Sequence, residues 1–117
     1  MSKVKIFHNP RCGKSRETLK IVQEQVAEEE IDIIKYLEEP PSTEELTTIL
    51  SLLGIKAEEL VRKNEQLWKD NFKGREFSEE ELVKVMVENP KLIERPIVVK
   101  DGKAVIGRPP EQVKSIL

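Results

Sequence analysis

The stretch KVKIFHNPRCGKSR, residues 3–16, predicts a buried strand that leads directly into the N-terminus of a helix. Apolar side chains occupy both faces of residues 3–8, as expected for a strand that is covered on both sides. Asn9-Pro10 then interrupts the strand. From about Lys14, apolar residues recur at intervals of three or four, which is the period of a helix. These residues are Leu19, Val22 and Val26.

Cys12, the only cysteine of the chain, lies on the connection between this strand and this helix. Unpaired N–H groups and the helix dipole favour an anion at a helix N-terminus, and a thiol placed there ionises more readily than a free cysteine. Arg11, Lys14 and Arg16 add positive charge. A lone cysteine can also be a small buried apolar residue. The polar and charged neighbours favour a reactive thiolate with a second anion beside it.

His8, the only histidine, precedes Cys12 by four residues at the end of the predicted strand. A protonated histidine beside a cysteine lowers the pKa of the thiol. A histidine at a strand end can equally be held by hydrogen bonds to the backbone, and both interpretations stay open. One cysteine and one histidine do not make a typical tetrahedral metal site without carboxylates, so we expect no metal.

The composition predicts a single domain, residues 1–117, in the cytoplasm, and we expect the protein to be a monomer. Charged residues make up 36% of the chain and hydrophobic residues 38%, and the formal net charge is −2. Such a surface argues against non-specific nucleic-acid binding. No apolar run approaches the roughly 20 residues of a membrane span, and we expect no signal peptide before the first strand. A single cysteine cannot form an intramolecular disulfide, which suits the reducing cytosol.

The remaining sequence predicts a mixed sheet interrupted by a helical insertion. IDIIKYL (31–37) is typical of a second strand, parallel to the first. Residues of about 42–93 are predicted to be helical, with capping boxes that begin at Ser42 and Ser78. PIVVKDGKAVIG (96–107) predicts an antiparallel hairpin around Asp101-Gly102, and residues 111–117 predict a terminal helix.

Without the insertion, the order β-α-β followed by β-β-α is that of a thioredoxin-like α/β fold. In that fold the reactive thiol lies between the first strand and the first helix, where this chain has Cys12. Thioredoxin-like proteins also carry a cis-proline before the third strand. By analogy we expect the Arg95-Pro96 bond to be cis and to lie beside Cys12.

Three of the six arginines stand where predicted elements end: Arg62, Arg95 and Arg108. A guanidinium binds oxyanions through two parallel hydrogen bonds and keeps its charge. Arg95 and Arg108 are expected near the thiol, whereas the insertion would have to bring Arg62 there. Arg75 is expected to be an ordinary solvated residue.

A thiolate with several arginines suits attack on a tetrahedral oxyanion, or thiol–disulfide exchange with an anionic thiol such as glutathione. A tyrosine phosphatase is disfavoured, because its loop has an arginine six positions after the cysteine and Thr18 stands there.

Five segments of the sequence resemble the glutaredoxin-linked bacterial arsenate reductases of the ArsC family. They are HNPRCGKSRETL (8–19), YLEEPPSTEEL (36–46), LVRKN (60–64), NPKLIERPIVV (89–99) and IGRPPE (106–111). The resemblance implies a thioredoxin-like fold with a helical insertion. It also implies reduction of arsenate to arsenite with glutathione and glutaredoxin, without a tightly bound cofactor.

The same resemblance implies a role for each candidate site residue. Cys12 would form the arsenate adduct. Arg62, Arg95 and Arg108 would bind arsenate and its reduction intermediates, and His8 and Ser15 would support the thiolate.

Two other functions are weighed against this one. A glutathione-dependent thiol oxidoreductase with no arsenic role would use the same thiol. The Spx-type regulators that bind RNA polymerase share the fold, but they usually carry a Cys-x-x-Cys pair. This chain has Cys12-Gly13-Lys14-Ser15 instead, which disfavours a disulfide switch.

Overall fold

The computed structural model describes residues 3–117, which divide into two compact units. The first, here called the sheet unit, comprises Met1–Glu39 and Arg95–Leu117, and is described from Lys3 onward. The second, here called the helical unit, comprises Pro40–Glu94. The sheet unit is therefore assembled from two separate parts of the sequence.

The sheet unit contains four strands, β1 (Val4–Phe7), β2 (Ile31–Ile34), β3 (Ile97–Lys100) and β4 (Lys103–Ile106), in the spatial order β2-β1-β3-β4. β1 pairs in parallel with β2 and antiparallel with β3, and β3 pairs antiparallel with β4. Helix α1 (Gly13–Gln25) connects β1 to β2, and a 3₁₀ helix, Pro110–Ser115, follows β4. This arrangement confirms the predicted thioredoxin-like mixed sheet.

The core of the sheet unit forms around β1, because this strand has a neighbour on both sides. Val4 and Ile6 are fully buried and pack with Val22 of α1, Val98 of β3 and Val113. Phe7, on the opposite face of β1, is also buried. The prediction of a strand covered on both sides is therefore confirmed.

The hairpin turn has the predicted sequence and the backbone that it requires. Asp101 (φ 51°) and Gly102 (φ 72°) both adopt the left-handed conformation, which is the geometry of the two-residue turn that matches strand twist. The terminal segment differs from the prediction, because residues 110–115 form a 3₁₀ helix and not an α-helix. Gln112 N–H donates to the carbonyl of Pro109 and Ile116 N–H to that of Val113, which is the tighter, three-residue pattern.

The second strand is shorter than predicted. β2 ends at Ile34, because the chain turns at Lys35, whose carbonyl accepts hydrogen bonds from the N–H groups of Glu38 and Glu39. This turn places Lys35, Leu37 and Glu38 just beyond the end of β2.

The helical unit contains α2 (Thr43–Leu53), α3 (Ala57–Leu60), α4 (Gln66–Asn71) and α5 (Glu79–Glu88). Ser42 Oγ accepts the Glu45 N–H at 3.0 Å, and Gly54 ends α2 with a left-handed φ of 71°. The full capping box is present at Ser78, which exchanges hydrogen bonds with Glu81. In the part of the chain that is described, no helix is both long enough and apolar enough to cross a membrane.

Within the helical unit, a short antiparallel bridge joins the residues that follow α3 to the residues that come after α5. Val61 pairs with Ile93, Arg62 N–H donates to the Leu92 carbonyl at 2.7 Å, and Glu94 N–H donates to the Leu60 carbonyl at 3.0 Å. The chain between residues 62 and 92 is thereby closed into a loop.

Candidate active site

Cys12 is the N-cap residue of α1. Its backbone is extended (φ −93°, ψ 123°), its N–H donates to the Asn9 carbonyl, and its carbonyl accepts the Arg16 N–H, both at 3.0 Å. The thiol makes no capping hydrogen bond and is partly exposed. The thiol therefore lies at the positive end of the helix dipole, as predicted, and solvent reaches it.

The Arg108 guanidinium links the thiol to the chain that precedes β3. Its NH2 group lies 3.6 Å from Cys12 Sγ, and its Nε donates to the Arg95 carbonyl at 2.7 Å. The second bond fixes the plane of the guanidinium and so directs the first bond toward sulfur. A guanidinium keeps its positive charge at any working pH, so Arg108 presents a fixed cation beside the sulfur.

Gly107 allows Arg108 to reach the first turn of α1. A Cβ atom on Gly107 would lie 2.5 Å from Thr18 Oγ1 and 2.9 Å from Pro96 Cγ, so a residue larger than glycine does not fit. Gly107 N–H donates to the Pro96 carbonyl at 2.9 Å. The end of β4, helix α1 and Pro96 thus come together beside the thiol loop.

Both prolines at this corner follow cis peptide bonds. Arg95-Pro96 is cis, as predicted, and Arg108-Pro109 is also cis, which the sequence did not suggest. Pro96 is connected to Cys12 through Gly107 and Arg108. Arg95 contributes its carbonyl oxygen to the orientation of Arg108.

His8, Asn9 and Ser15 form a buried hydrogen-bonded group under the thiol loop. Ser15 Oγ lies 2.6 Å from His8 Nδ1 and accepts the Asn9 N–H at 3.0 Å. Ser15 is fully buried and His8 is 6% exposed. This group ties the first turn of α1 to the end of β1, and so fixes the two ends of the loop that carries Cys12.

Burial lowers the pKa of His8 from its usual value of 6.5, and the positive charges of Lys35 and Arg16 lower it further. A buried imidazole loses the hydration that stabilises its charged form, and neighbouring cations disfavour a second positive charge. His8 is therefore neutral near pH 7. This removes the protonated imidazole as a source of positive charge for the thiol, one of the two interpretations left open by the sequence.

The loop itself is held by its polar groups. Asn9 Oδ1 accepts the Arg11 N–H at 3.0 Å, and Arg16 NH1 donates to the Pro10 carbonyl at 3.0 Å. Asn9 was not predicted as a site residue. Its signal is the Asn-Pro dipeptide, since an asparagine side chain readily bonds the backbone two residues later.

Arg62 lies in the helical unit, where two carboxylates surround its guanidinium. NH1 is 3.0 Å from Glu65 Oε1, and Nε is 3.7 Å from Glu94 Oε1. The side chain is only 14% exposed. An arginine held by two carboxylates presents a fixed guanidinium with part of its charge neutralised.

Arg75 is exposed, as predicted, but it is not simply solvated. Its guanidinium lies 5.1 Å from the centre of the Phe77 ring and 5.8 Å from that of Phe72. These rings also contact Trp68, at 5.8 and 5.5 Å. Arg75 therefore covers an aromatic cluster of the helical unit, which its sequence environment did not indicate.

Comparison with known proteins identifies the family. The model of the ArsC family matches residues 7–116. The chain belongs to the ArsC family. Among curated relatives, the YfgD protein of Escherichia coli K12, described as uncharacterized, is 53% identical over 116 residues, which cover 97% of this chain and 96% of YfgD. The arsenate reductase of Haemophilus influenzae is 42% identical over 114 residues, 96% of this chain and 97% of the relative.

Solved structures of ArsC-type proteins share the whole fold. The arsenate reductase of Vibrio cholerae has a TM-score of 0.91 at 47% identity, and the match covers 99% of this chain and 98% of that one. A protein of Yersinia pestis has a TM-score of 0.90 at 50% identity, covering 97% and 100%. Among residues 3–117 of this ArsC chain, no three His, Cys, Asp or Glu side chains converge on a possible metal position.

Proposed function

We propose that this ArsC protein reduces arsenate to arsenite through an adduct on Cys12, with glutathione and glutaredoxin as the electron donors. The observation that supports it most is the 3.6 Å contact between Arg108 NH2 and Cys12 Sγ at the N-terminus of α1. A thiolate held beside a guanidinium offers both a nucleophile and an oxyanion partner. Relatives that are 38–42% identical over nearly their full length are arsenate reductases.

In the first step the Cys12 thiolate attacks arsenic. A sulfur–arsenic bond forms, one arsenic–oxygen bond breaks, and the departing oxygen takes up protons and leaves as water. In the whole reaction, arsenate and two thiols give arsenite, water and one disulfide. Arsenic gains the two electrons that the thiols lose, so the balance requires no resident cofactor.

The three arginines would stabilise the negative charge of the bound oxyanion. Arg108 would stabilise first the thiolate and then the negative oxygens on arsenic, because its charge does not depend on pH. Arg95 would orient Arg108 through its carbonyl and bind oxygen through its own guanidinium. Arg62 would supply a further guanidinium, held in a fixed orientation, to bind arsenate or its reduction intermediates.

His8 and Ser15 would support the thiolate through the loop and not through charge. The bond between Ser15 and the Asn9 N–H, together with the 2.6 Å contact to His8, fixes both ends of the loop. A thiol in a fixed position loses less entropy on reaching the transition state.

A coupled assay tests this function and separates it from thiol–disulfide exchange without arsenic. NADPH oxidation is measured in the presence of glutathione, glutathione reductase and glutaredoxin, and the reaction is started with arsenate. We expect arsenate-dependent oxidation in the wild type and none with Cys12→Ser. Oxidation with a small disulfide substrate but not with arsenate would contradict the proposal and favour the oxidoreductase.

We also propose that the protein acts as a monomer in the cytoplasm and binds neither nucleic acid nor membrane. Its single cysteine and its net charge of −2 support this. Sedimentation equilibrium over a hundredfold range of concentration should give one mass, close to 13.5 kDa. A mass that rises with concentration would contradict it.

A further inference from the structure

Two glutamates of the helical unit surround the guanidinium of Arg62. Glu65 Oε1 lies 3.0 Å from NH1, and Glu94 Oε1 lies 3.7 Å from Nε. The two glutamate side chains are only 17% and 28% exposed, so all three charges are largely withdrawn from water. The group differs in this respect from the ion pair of Glu58 with Lys63 in the same unit, where the glutamate is 73% exposed.

Backbone hydrogen bonds fix the positions of these three residues. At the short antiparallel bridge, Arg62 N–H donates to the Leu92 carbonyl. On the other side of the bridge, Glu94 N–H donates to the Leu60 carbonyl. Glu65 is the N-cap residue of α4, and its N–H donates to the Arg62 carbonyl at 3.3 Å. The arginine and both carboxylates are therefore held in place before any ligand arrives.

The guanidinium of Arg62 keeps unused hydrogen-bonding capacity in spite of its two ion pairs. Nε and NH1 are both buried, and neither donates a hydrogen bond within residues 3–117. A buried donor without an acceptor is costly, so an oxygen atom that accepts from this guanidinium would be stabilised. A carboxylate has about four lone-pair sites, so Glu65 and Glu94 can accept hydrogen bonds in addition to their ion pairs.

The charges of this site cancel, so net charge does not attract an anion to it. Lys91 Nζ lies 3.9 Å from Glu65 Oε2, which gives two positive and two negative charges with Arg62 and Glu94. An oxyanion without a proton meets two carboxylates that can only accept hydrogen bonds. An oxyanion with a hydroxyl group can donate to a carboxylate while a bare oxygen accepts from Arg62. At pH 7, arsenate and phosphate keep at least one proton, and sulfate keeps none.

We infer that Glu65 and Glu94 are specificity-determining residues, which make Arg62 a binding site for protonated tetrahedral oxyanions and reject oxyanions without a hydroxyl group. A site built to bond a hydroxyl rejects the analogue that lacks it, because the polar groups of the site are then left unpaired. The inference rests on the proposed function, in which Arg62 binds arsenate, and adds the two carboxylates that decide which oxyanions are accepted. Glu65 contributes more than Glu94, because it lies closer to the guanidinium.

The nuclear magnetic resonance signal of the Arg62 Nε–H gives a direct test. Nε is buried, which slows its exchange with water, and the Arg62→Lys variant identifies the signal by its disappearance. Phosphate is titrated as the protonated oxyanion that does not oxidise the thiol, and sulfate as the oxyanion without a hydroxyl. The ionic strength is kept constant with sodium chloride, because salt screens exposed charges. We expect a saturable shift with phosphate, and a dissociation constant at least about tenfold lower than that of sulfate, the scale of one hydrogen bond to a charged group.

Glutamine variants provide the matched comparison, because glutamine keeps the size of glutamate and its amide can donate to a bare oxygen. In Glu65→Gln, sulfate affinity should rise about tenfold and phosphate affinity by less, so that the preference for phosphate falls. Glu94→Gln should change the preference in the same direction to a smaller extent, and it keeps the test valid where Glu65→Gln lowers stability. Glu58→Gln removes the same charge from an exposed ion pair of the same unit. It should leave the preference unchanged within about twofold.

Four outcomes would overturn the inference. Equal binding of phosphate and sulfate by the wild type would mean that the carboxylates do not select. An equal gain for both anions in Glu65→Gln would mean that the carboxylate repels every anion alike. An equal loss for both would mean that Glu65 only orients Arg62, and no shift of the Arg62 signal would place oxyanion binding elsewhere.

The titration is independent of turnover, since neither anion is reduced. A selective shift of the Arg62 signal in a protein that fails to reduce arsenate would support the inference and contradict the proposed function. Arsenate reduction without any shift at Arg62 would refute the inference and leave the proposed function standing.

Discussion

Replacing Arg108 with alanine should slow the reaction of Cys12 with electrophiles. The substitution removes the charged donor that lies 3.6 Å from Sγ. A hydrogen bond to a charged group contributes about 1.5–3 kcal/mol. The distance is long for such a bond and Arg108 is exposed, so solvent screening favours the lower end of this range. A loss of about 1.4 kcal/mol corresponds to a factor of about ten.

The assay is the rate of Cys12 alkylation by iodoacetamide at pH 7, where the thiolate is the reacting form. The rate should fall about tenfold in Arg108→Ala and by less in Arg108→Lys. Lysine keeps the charge but cannot bond the Arg95 carbonyl and the sulfur with one planar fork. An unchanged rate in Arg108→Ala would refute the reasoning, because the guanidinium would then contribute nothing to the reactive form.

Arg75→Ala is the control for a lost arginine. It lies in the helical unit over Phe72 and Phe77, and a cation over an aromatic ring at an exposed site contributes about 0.5–1 kcal/mol. The melting temperature should fall slightly while the alkylation rate stays the same. A rate loss as large as that of Arg108→Ala would mean that the rate reports on general destabilisation.

His8, Ser15 and Gly107 each give a further prediction. The imidazole of His8 should titrate below 6.5, so the unfolded chain binds more protons than the folded one as the pH falls below that value. Stability therefore falls as the pH is lowered from 7. The wild type should lose more melting temperature between pH 7 and 5 than His8→Gln. Ser15→Ala leaves the buried Asn9 N–H without its acceptor and should lower the free energy of unfolding, measured in urea, by about 1–3 kcal/mol. A decrease below 0.5 kcal/mol, roughly the scale of a surface change, would contradict this. Gly107→Ala should cost about 1–3 kcal/mol by overpacking, and combining it with Thr18→Ala should cost less than the sum of the two changes; strict additivity would mean that the two side chains do not collide.

The sequence predicted those parts of the fold that depend on short segments. The hairpin follows from Asp101-Gly102, whose left-handed backbone few other dipeptides adopt easily. The helix starts at Ser42 and Ser78 follow from capping residues placed three positions before a glutamate. Cys12 was located because strand, break and helix succeed each other within residues 3–16. Each of these signals is local, so one short stretch contains all of the information.

The contacts that assemble the candidate site join residues that are distant in sequence. The fold analogy placed Arg108 near the thiol, but the contact between Thr18 and Gly107 and the bond from Arg108 to the Arg95 carbonyl were not predicted. Thr18 and Gly107 are 89 positions apart, and Cys12 and Arg108 are 96 apart. Periodicity says nothing about which side chains meet across such distances. The neutral state of His8 depends on burial and on Lys35 and Arg16, and the residues nearest in sequence do not reveal that environment. The 3₁₀ form of residues 110–115 was missed because the apolar spacing of a single turn fits both helix types.

The bridge between Val61 and Ile93 has a consequence for how the sheet forms. Strand β1 must pair with β3, and Lys5 lies opposite Val99, so this pairing closes a loop of nearly the whole chain. The entropic cost of closing a loop grows with the logarithm of its length, at about 0.6 kcal/mol per doubling. Once Val61 and Ile93 are paired, residues 62–92 no longer lengthen that loop. A bridge that formed before the sheet would therefore shorten the loop that the pairing of β1 with β3 has to close, and long-range contacts of this kind are those that limit folding rates.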